Sequence, residues 1–550
     1  MRRRLLPIVL APALVLAAAL PASAAPLPLP PGFPDTPDNH FYYNVWFGPD
    51  KPDWTPQGTV VADSGFRARP NGLPYSNYGD NAFPLFFGTP STLIPTLTSP
   101  WMRDLYGDGV CAGKPKADGT CALTPAAEYF AAYLAQYADS IGHCVGIAVT
   151  TQGVYSGALD PSAIAAETLA FQSQLTPDTQ SIILRNWSTQ FTAPQTQLTP
   201  AGVVEQLIEE LQSQQVPSSL LIHWPGGGHG ITPYAVYDRG NGLYDIAIYD
   251  NNYPGRARAI HVDTIADTWE YEVETNPSAP PLIARGDATT LSMQLMSVED
   301  ALATQECPVC LGGRESSLMV TEPVPTAAAS GLNLTLLNLD DSPLSQDEVN
   351  FLPVLDSGNP DLTALQPAEV DAPDGYQAVV STGPGGPFPF TMTDLTNGGA
   401  RAYRLPALAA DDTVTAIFAG NGVFAVETTI PARPALRESF KAGKRHFIVE
   451  ASKGTLVQST TARWIGRDVA NGRVALGDIA REGGKITIGA EIQVGSTSQG
   501  YVATGVKYPT GGELVLVYSG WKNVGQAPQL WLDRDADGKL DKRIPMKKVS

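Results

Sequence analysis

Five cysteines punctuate this 550-residue chain, and four of them come as close pairs. Cys111 and Cys121 bracket CAGKPKADGTC, and Cys307 and Cys310 form CPVC. In an oxidising compartment each pair closes a local disulfide. CPVC would also serve as half of a metal site. Zinc held by all four thiols is the alternative, although CAGKPKADGTC lacks the short spacing of a zinc knuckle. Cys144, in SIGHCVGIAV (140–149), is left over. An odd thiol is a candidate nucleophile, and a nucleophilic thiol needs a base within hydrogen-bond reach. Of the six histidines, His229 stands out in PGGGHGITPYAV, where three glycines precede it. His143 is the second candidate base. A carboxylate or amide that orients the imidazole is then expected at Asp250 or Asn251, in LYDIAIYDNNYPG.

These residues act together only if the elements between them bring them together. TPAAEYFAAYLAQYADS (124–140) predicts a helix, with Thr124 as N-cap, Pro125 in the first turn and Phe130, Leu134 and Ala138 at helical spacing. HCVGIAV opens a second helix. Its free N–H groups and positive dipole end favour a thiolate at Cys144. TPDTQSIILRNWSTQF (176–191) and TPAGVVEQLIEELQSQQ (199–215) predict two more, the last with a Val203, Leu207 and Leu211 stripe. Strands follow at SLLIHW (219–224), at two alternating runs around the RGNG turn, at RAIHVD (258–263) and at TWEYEV (268–273). The RGNG hairpin returns Asp250 and Asn251 to the level of His229. Trp224 and Tyr234 stand near enough in sequence to line a pocket. Helices followed by antiparallel strands make an α+β pattern.

The order Cys144, His229, Asp250 and the run GHC…GHGITPYAVYDRGNGLYDIAIYDNNYPG resemble the papain-like cysteine peptidase fold, over roughly residues 66–275. The run is also similar to a group of uncharacterised exported bacterial proteins with papain-like domains. The resemblance implies that Cys144 attacks, His229 serves as base and then acid, and Asp250 orients the imidazole. The family places a glutamine six residues before the cysteine for the oxyanion hole. Position 138 is alanine here. Gln136, eight residues before, is the nearest amide, with Ser140 as the fallback and the Cys144 N–H as the other donor.

The ends of the chain set its destination and its second half. MRRRLLPIVLAPALVLAAALPASAAP reads as a signal peptide over 1–25, so the protein is expected to be secreted or at the cell surface, without a membrane span once mature. Residues 26–65 form a Pro-rich lead-in that partly docks, and 66–300 the α+β domain. Short alternating runs predict all-β, sandwich-like modules over 314–430 and 431–550, divided near IPARPALRES (430–439), with no clear repeat period. In the last module DRDADGKLD presents Asp533, Asp535, Asp537 and Asp541 at the spacing of a short Ca²⁺ loop, or else an acidic turn. A charge of −19, from 36 basic and 55 acidic residues, disfavours nucleic acid as partner. Two functions compete. One is an exported thiol hydrolase, a peptidase or amidase, acting on a peptide or amide-bearing polymer. A transglutaminase-like acyl transferase would share its chemistry. The other is a non-catalytic binding or adhesion protein with a degenerate papain-like domain.

Overall fold

The computed structural model describes residues 54–78, 97–213, 218–224, 227–273, 282–310, 317–321, 333–352, 367–383, 388–396, 399–408, 411–452, 462–478, 484–495 and 497–549. The expected signal peptide and most of the expected lead-in lie outside these residues. Among the described residues five helices of two turns or more build the first half: α1 (Ser99–Tyr106), α2 (Pro125–Ile141), α3 (Cys144–Ser156), α4 (Pro177–Ser188) and α5 (Pro200–Gln212). Three of them start at a Thr-Pro pair. The side chains of Thr124, Thr176 and Thr199 each accept a hydrogen bond from the backbone N–H three residues on, which satisfies one of the free donors of the first turn. The α2 stripe of Phe130, Leu134 and Ala138 is fully buried. Helix α3 is buried all round from Cys144 to Val154, so it runs through the middle of the domain rather than over its surface.

Nine strands accompany these helices: β1 (Thr59–Asp63), β2 (Gln195–Leu198), β3 (Ser219–Trp224), β4 (Gly227–Gly240), β5 (Leu243–Tyr249), β6 (Ala257–Asp263), β7 (Thr268–Val273), β8 (Leu282–Asp287) and β9 (Met293–Met296). They form one antiparallel sheet in the order β2-β9-β3-β4-β5-β6-β7-β8, with β1 added on β4. Strand β1 is the part of the lead-in that docks. The β4–β5 hairpin turns through Asn241 and Gly242, both at positive φ, as the Asn-Gly signal requires. The sheet curls until β8 comes back beside β3. Helix α5 fills the inside of this curl with Val203, Leu207 and Leu211, against Ile222, Ile246, Ile260 and Tyr271. On the other face α3 packs against β4 at short range. A Cβ on Gly230 would stand 2.8 Å from the Val145 side chain and 2.9 Å from its Cα, so only glycine admits this approach.

The described residues from 317 to 548 are all β, in two antiparallel sheets of ten and nine strands that share one core from Leu334 to Leu532. From residue 388 the chain lays down a hairpin in one sheet, crosses, and lays the next in the other. Phe388–Thr396 pairs with Gly399–Leu408, then Thr413–Ala419 with Val423–Thr428 in the facing sheet. The same four-strand unit reopens at Ala435 and at Gly484, 47 and 49 residues on. A repeat therefore exists although no clear period is readable in the sequence. The expected boundary near 430 coincides with no break in either sheet. Gly399–Leu408 pairs with Ala435–Ala442, and Val423–Thr428 with Arg463–Asp468. The proline-rich segment there is a crossover between sheets.

The two halves touch through α2. Tyr129 bonds Thr393 at 2.8 Å, Glu128 faces Lys441 at 3.4 Å, and Leu395 and Ala400 join the helical core. Among the described residues no helix is long and apolar enough to cross a membrane.

Candidate active site

Cys144 is the first residue of α3 and the one free cysteine among the described residues; Cys111–Cys121 and Cys307–Cys310 are disulfides. The thiol is 5 % exposed. His229 enters from β4, directly opposite Ile222 of β3, and its side chain lies within hydrogen-bonding reach of the Cys144 thiol. Asp250 follows the last residue of β5. Its Oδ1 is 2.7 Å from His229 Nε2. With Nε2 directed at the carboxylate, Nδ1 is the ring nitrogen left for sulfur.

Both sides of the pair are dry, His229 being 3 % exposed and Asp250 fully buried. Burial alone would push the imidazole towards its neutral form. The Asp250 charge and hydrogen bond, together with Cys144, more than offset that and raise His229 from 6.5 to about 10. Burial would likewise raise Asp250. His229, the Tyr271 hydroxyl and the Asn252 N–H outweigh it and hold the carboxyl below its ordinary range. The Asn252 N–H donates to Oδ1 at 2.7 Å, and Tyr271 of β7 donates to Oδ2. Tyr271 is held in its protonated, donating form by burial and by the carboxylate beside it. The site is therefore a charged pair fixed on three sides by hydrogen bonds.

The neighbouring residues have separate tasks. Asn251 does not touch the imidazole. Its Nδ2 donates to Cys144 O at 3.0 Å and to Gly230 O at 2.8 Å, joining the start of α3 to β4. Asn77 extends the join: its N–H donates to Asn251 O at 2.8 Å, and its Oδ1 accepts the His143 N–H at 2.6 Å. The His143 side chain has other partners in this arrangement. Its Nδ1 is 2.8 Å from Tyr78 O, its ring stacks on Tyr78 at 4.2 Å, and burial holds it down at about 4. The structure thus brings Cys144, His229 and Asp250 together, and gives the orienting position to Asp250.

Gln136 lies in α2, eight residues before Cys144, and its side chain, like that of Ser140, falls outside the described residues. Tyr234 does not line the site. It is buried in a separate cluster with Phe66 and Tyr249. Trp224 stands half-exposed over Gly227. Sequence reasoning missed Tyr271, which no motif marks. Its alternation in TWEYEV places it on the inward face, and the fold brings that face to Asp250.

At the far end of the chain, ligand oxygens of Asp533, Asp535 and Asp541 lie within 4.8 Å of one another. Asp537 is outside this group and pairs with Lys539. Buried Asp533 accepts the Gly538 N–H at 2.8 Å, and Asp541 accepts the Arg534 N–H at 2.8 Å. The fourth carboxylate of the expected loop is thus turned away to a lysine. No protein-family model, curated protein or solved structure matches this chain.

Proposed function

We propose that the protein is a papain-like thiol hydrolase that cleaves an amide bond, a peptidase or amidase working outside the cytoplasm. The observation that carries the reading is the buried His229–Asp250 bond with a free thiol beside the ring at a helix N-terminus. The curled sheet carrying the histidine, the buried central helix carrying the cysteine, and the chain order accord with it. Two local disulfides accord with an oxidising destination.

Imidazolium at His229 balances thiolate at Cys144. The sulfur attacks the carbonyl carbon, and the carbonyl electron pair moves to oxygen, where the Cys144 N–H is one donor. As the C–N bond breaks, His229 gives its proton to the leaving amine. A thioester remains. Water attacks it with His229 as base, releasing the carboxylic acid and restoring the pair. Asp250 stays ionised throughout and holds the ring in its productive orientation.

The test is alkylation of the folded protein with iodoacetamide below the ordinary thiol range, read by mass spectrometry. Cys144 is expected to label, and His229→Ala to slow the reaction at least tenfold. Labelling only after unfolding would leave Cys144 as buried packing and favour the binding protein.

A further inference from the structure

A cleft of about 490 Å³ lies between the first half of the chain and the two-sheet region. It is within the size range of small-molecule sites. One wall is the end of the first sheet, where Gln197 of β2 sits opposite Gln294 of β9, with Gln195 beside them. The other wall comes from the edge strand Val349–Phe351, where Asn350 faces Glu369 across the strands and donates to its carboxylate at 2.8 Å. Glu306 completes the rim. We propose that this cleft binds a neutral, hydroxyl-rich ligand, a short oligosaccharide.

The side chains select that chemistry. Amides both donate and accept, and carboxylates accept, which together match hydroxyl groups that do both. Gln197 and Asn350 are exposed and able to reach a ligand. Among the described residues no lysine, arginine or histidine lines the cleft, and two glutamates do. On a chain of net charge −19, that arrangement repels an anionic polymer. A peptide would need apolar recesses for its side chains. Of the apolar lining only Pro194 is exposed, and Phe191, Ala193 and Leu352 are at most 5 % exposed.

The cleft also sits close to the thiol site without sharing a residue with it. Gln294 stands opposite Leu221, and Leu221 opposite Gly230, the residue after His229. Two strand spacings, about 10 Å, separate the Gln294 and Gly230 backbones. An oligosaccharide held there would lie beside the amide-cleaving site, as on a polymer that carries both sugar and amide groups.

The experiment is isothermal titration calorimetry on the full chain carrying Cys144→Ser. Removing the thiol makes the result independent of catalysis, so failure of the hydrolase reading does not affect it. The probes are cellotetraose, maltotetraose, chitotetraose and mannotetraose, with polygalacturonate and tetra-alanine as controls. At least one neutral tetrasaccharide is expected to bind, and Gln197→Ala with Asn350→Ala to weaken it tenfold or more. Circular dichroism checks that this variant of two exposed residues stays folded. The proposal is overturned if none of the four sugars binds, if only a control binds, or if the double variant binds as tightly as its parent.

Discussion

Asn251→Ala should damage the site without touching its charge pair. The amide donates to two carbonyl oxygens, Cys144 O and Gly230 O, and Asn251 is fully buried. Each lost bond costs about 0.5–1.5 kcal/mol, and the space left by the buried amide adds about 1 kcal/mol. Asn251 Oδ1 is itself buried and unpartnered, so its removal returns part of that cost. The net expectation is a loss of about 2–4 kcal/mol. For a unit of this size each kcal/mol lowers Tm by about 2–4 °C, so the α/β transition should fall by about 4–16 °C. Differential scanning calorimetry reads that fall. Alkylation of Cys144 as a function of pH supplies the second readout. The His229–Asp250 bond remains, so the shape of the pH dependence should stay as in the parent. A fall in Tm below about 1 °C, or a pH profile that changes as in His229→Ala, would refute the division of labour between Asn251 and Asp250.

Asp250→Asn should do the reverse. It keeps the Asn251 bonds and removes the charge that raises His229. A raised histidine contributes stability that is fully present below its ordinary 6.5 and lost as pH rises through about 10. Between those values the parent's melting temperature should fall more steeply than that of Asp250→Asn, and equal slopes would mean that the imidazolium is not held. Calcium should raise the melting temperature of the two-sheet region through Asp533, Asp535 and Asp541, and Asp541→Asn should abolish the rise. An unchanged melting point at millimolar calcium means an acidic turn held by its own backbone bonds.

Local signals in the sequence corresponded closely to local structure. The Thr-Pro pairs at 124, 176 and 199 begin helices because threonine caps and proline suits the first turn. The Asn-Gly turn fixed a hairpin register, and through it the approach of Asp250 to His229. The choice between Asp250 and Asn251 was not legible. The alternation rule for adjacent residues applies inside a strand, and both lie just past the end of β5, where both side chains turn inward. Tyr271 was hidden for a different reason. Its contact with Asp250 crosses 21 residues and depends on the curl of the sheet. The repeat escaped notice because any alternating apolar run satisfies a two-sheet core, so the units need the same pattern but not the same residues. Prolines 431 and 434 suggested a boundary between modules, yet they lie where the chain passes from one sheet to the other.

That passage has a geometric result. Each four-strand unit widens both sheets by two strands, about 10 Å, and leaves the thickness between them unchanged. Duplicating or losing the last unit, which opens at Gly484, would alter the span from the thiol site to the last strands while sparing Thr393, Leu395, Ala400 and Lys441, which meet the helical half. The β region can thus act as a measuring rod whose length is set in fixed increments. Its terminal strands, Lys542–Ile544 and Lys547–Lys548, are short, basic and flank Pro545. Such an edge is a poor template for another strand, which stops the rod from joining end to end with its neighbours.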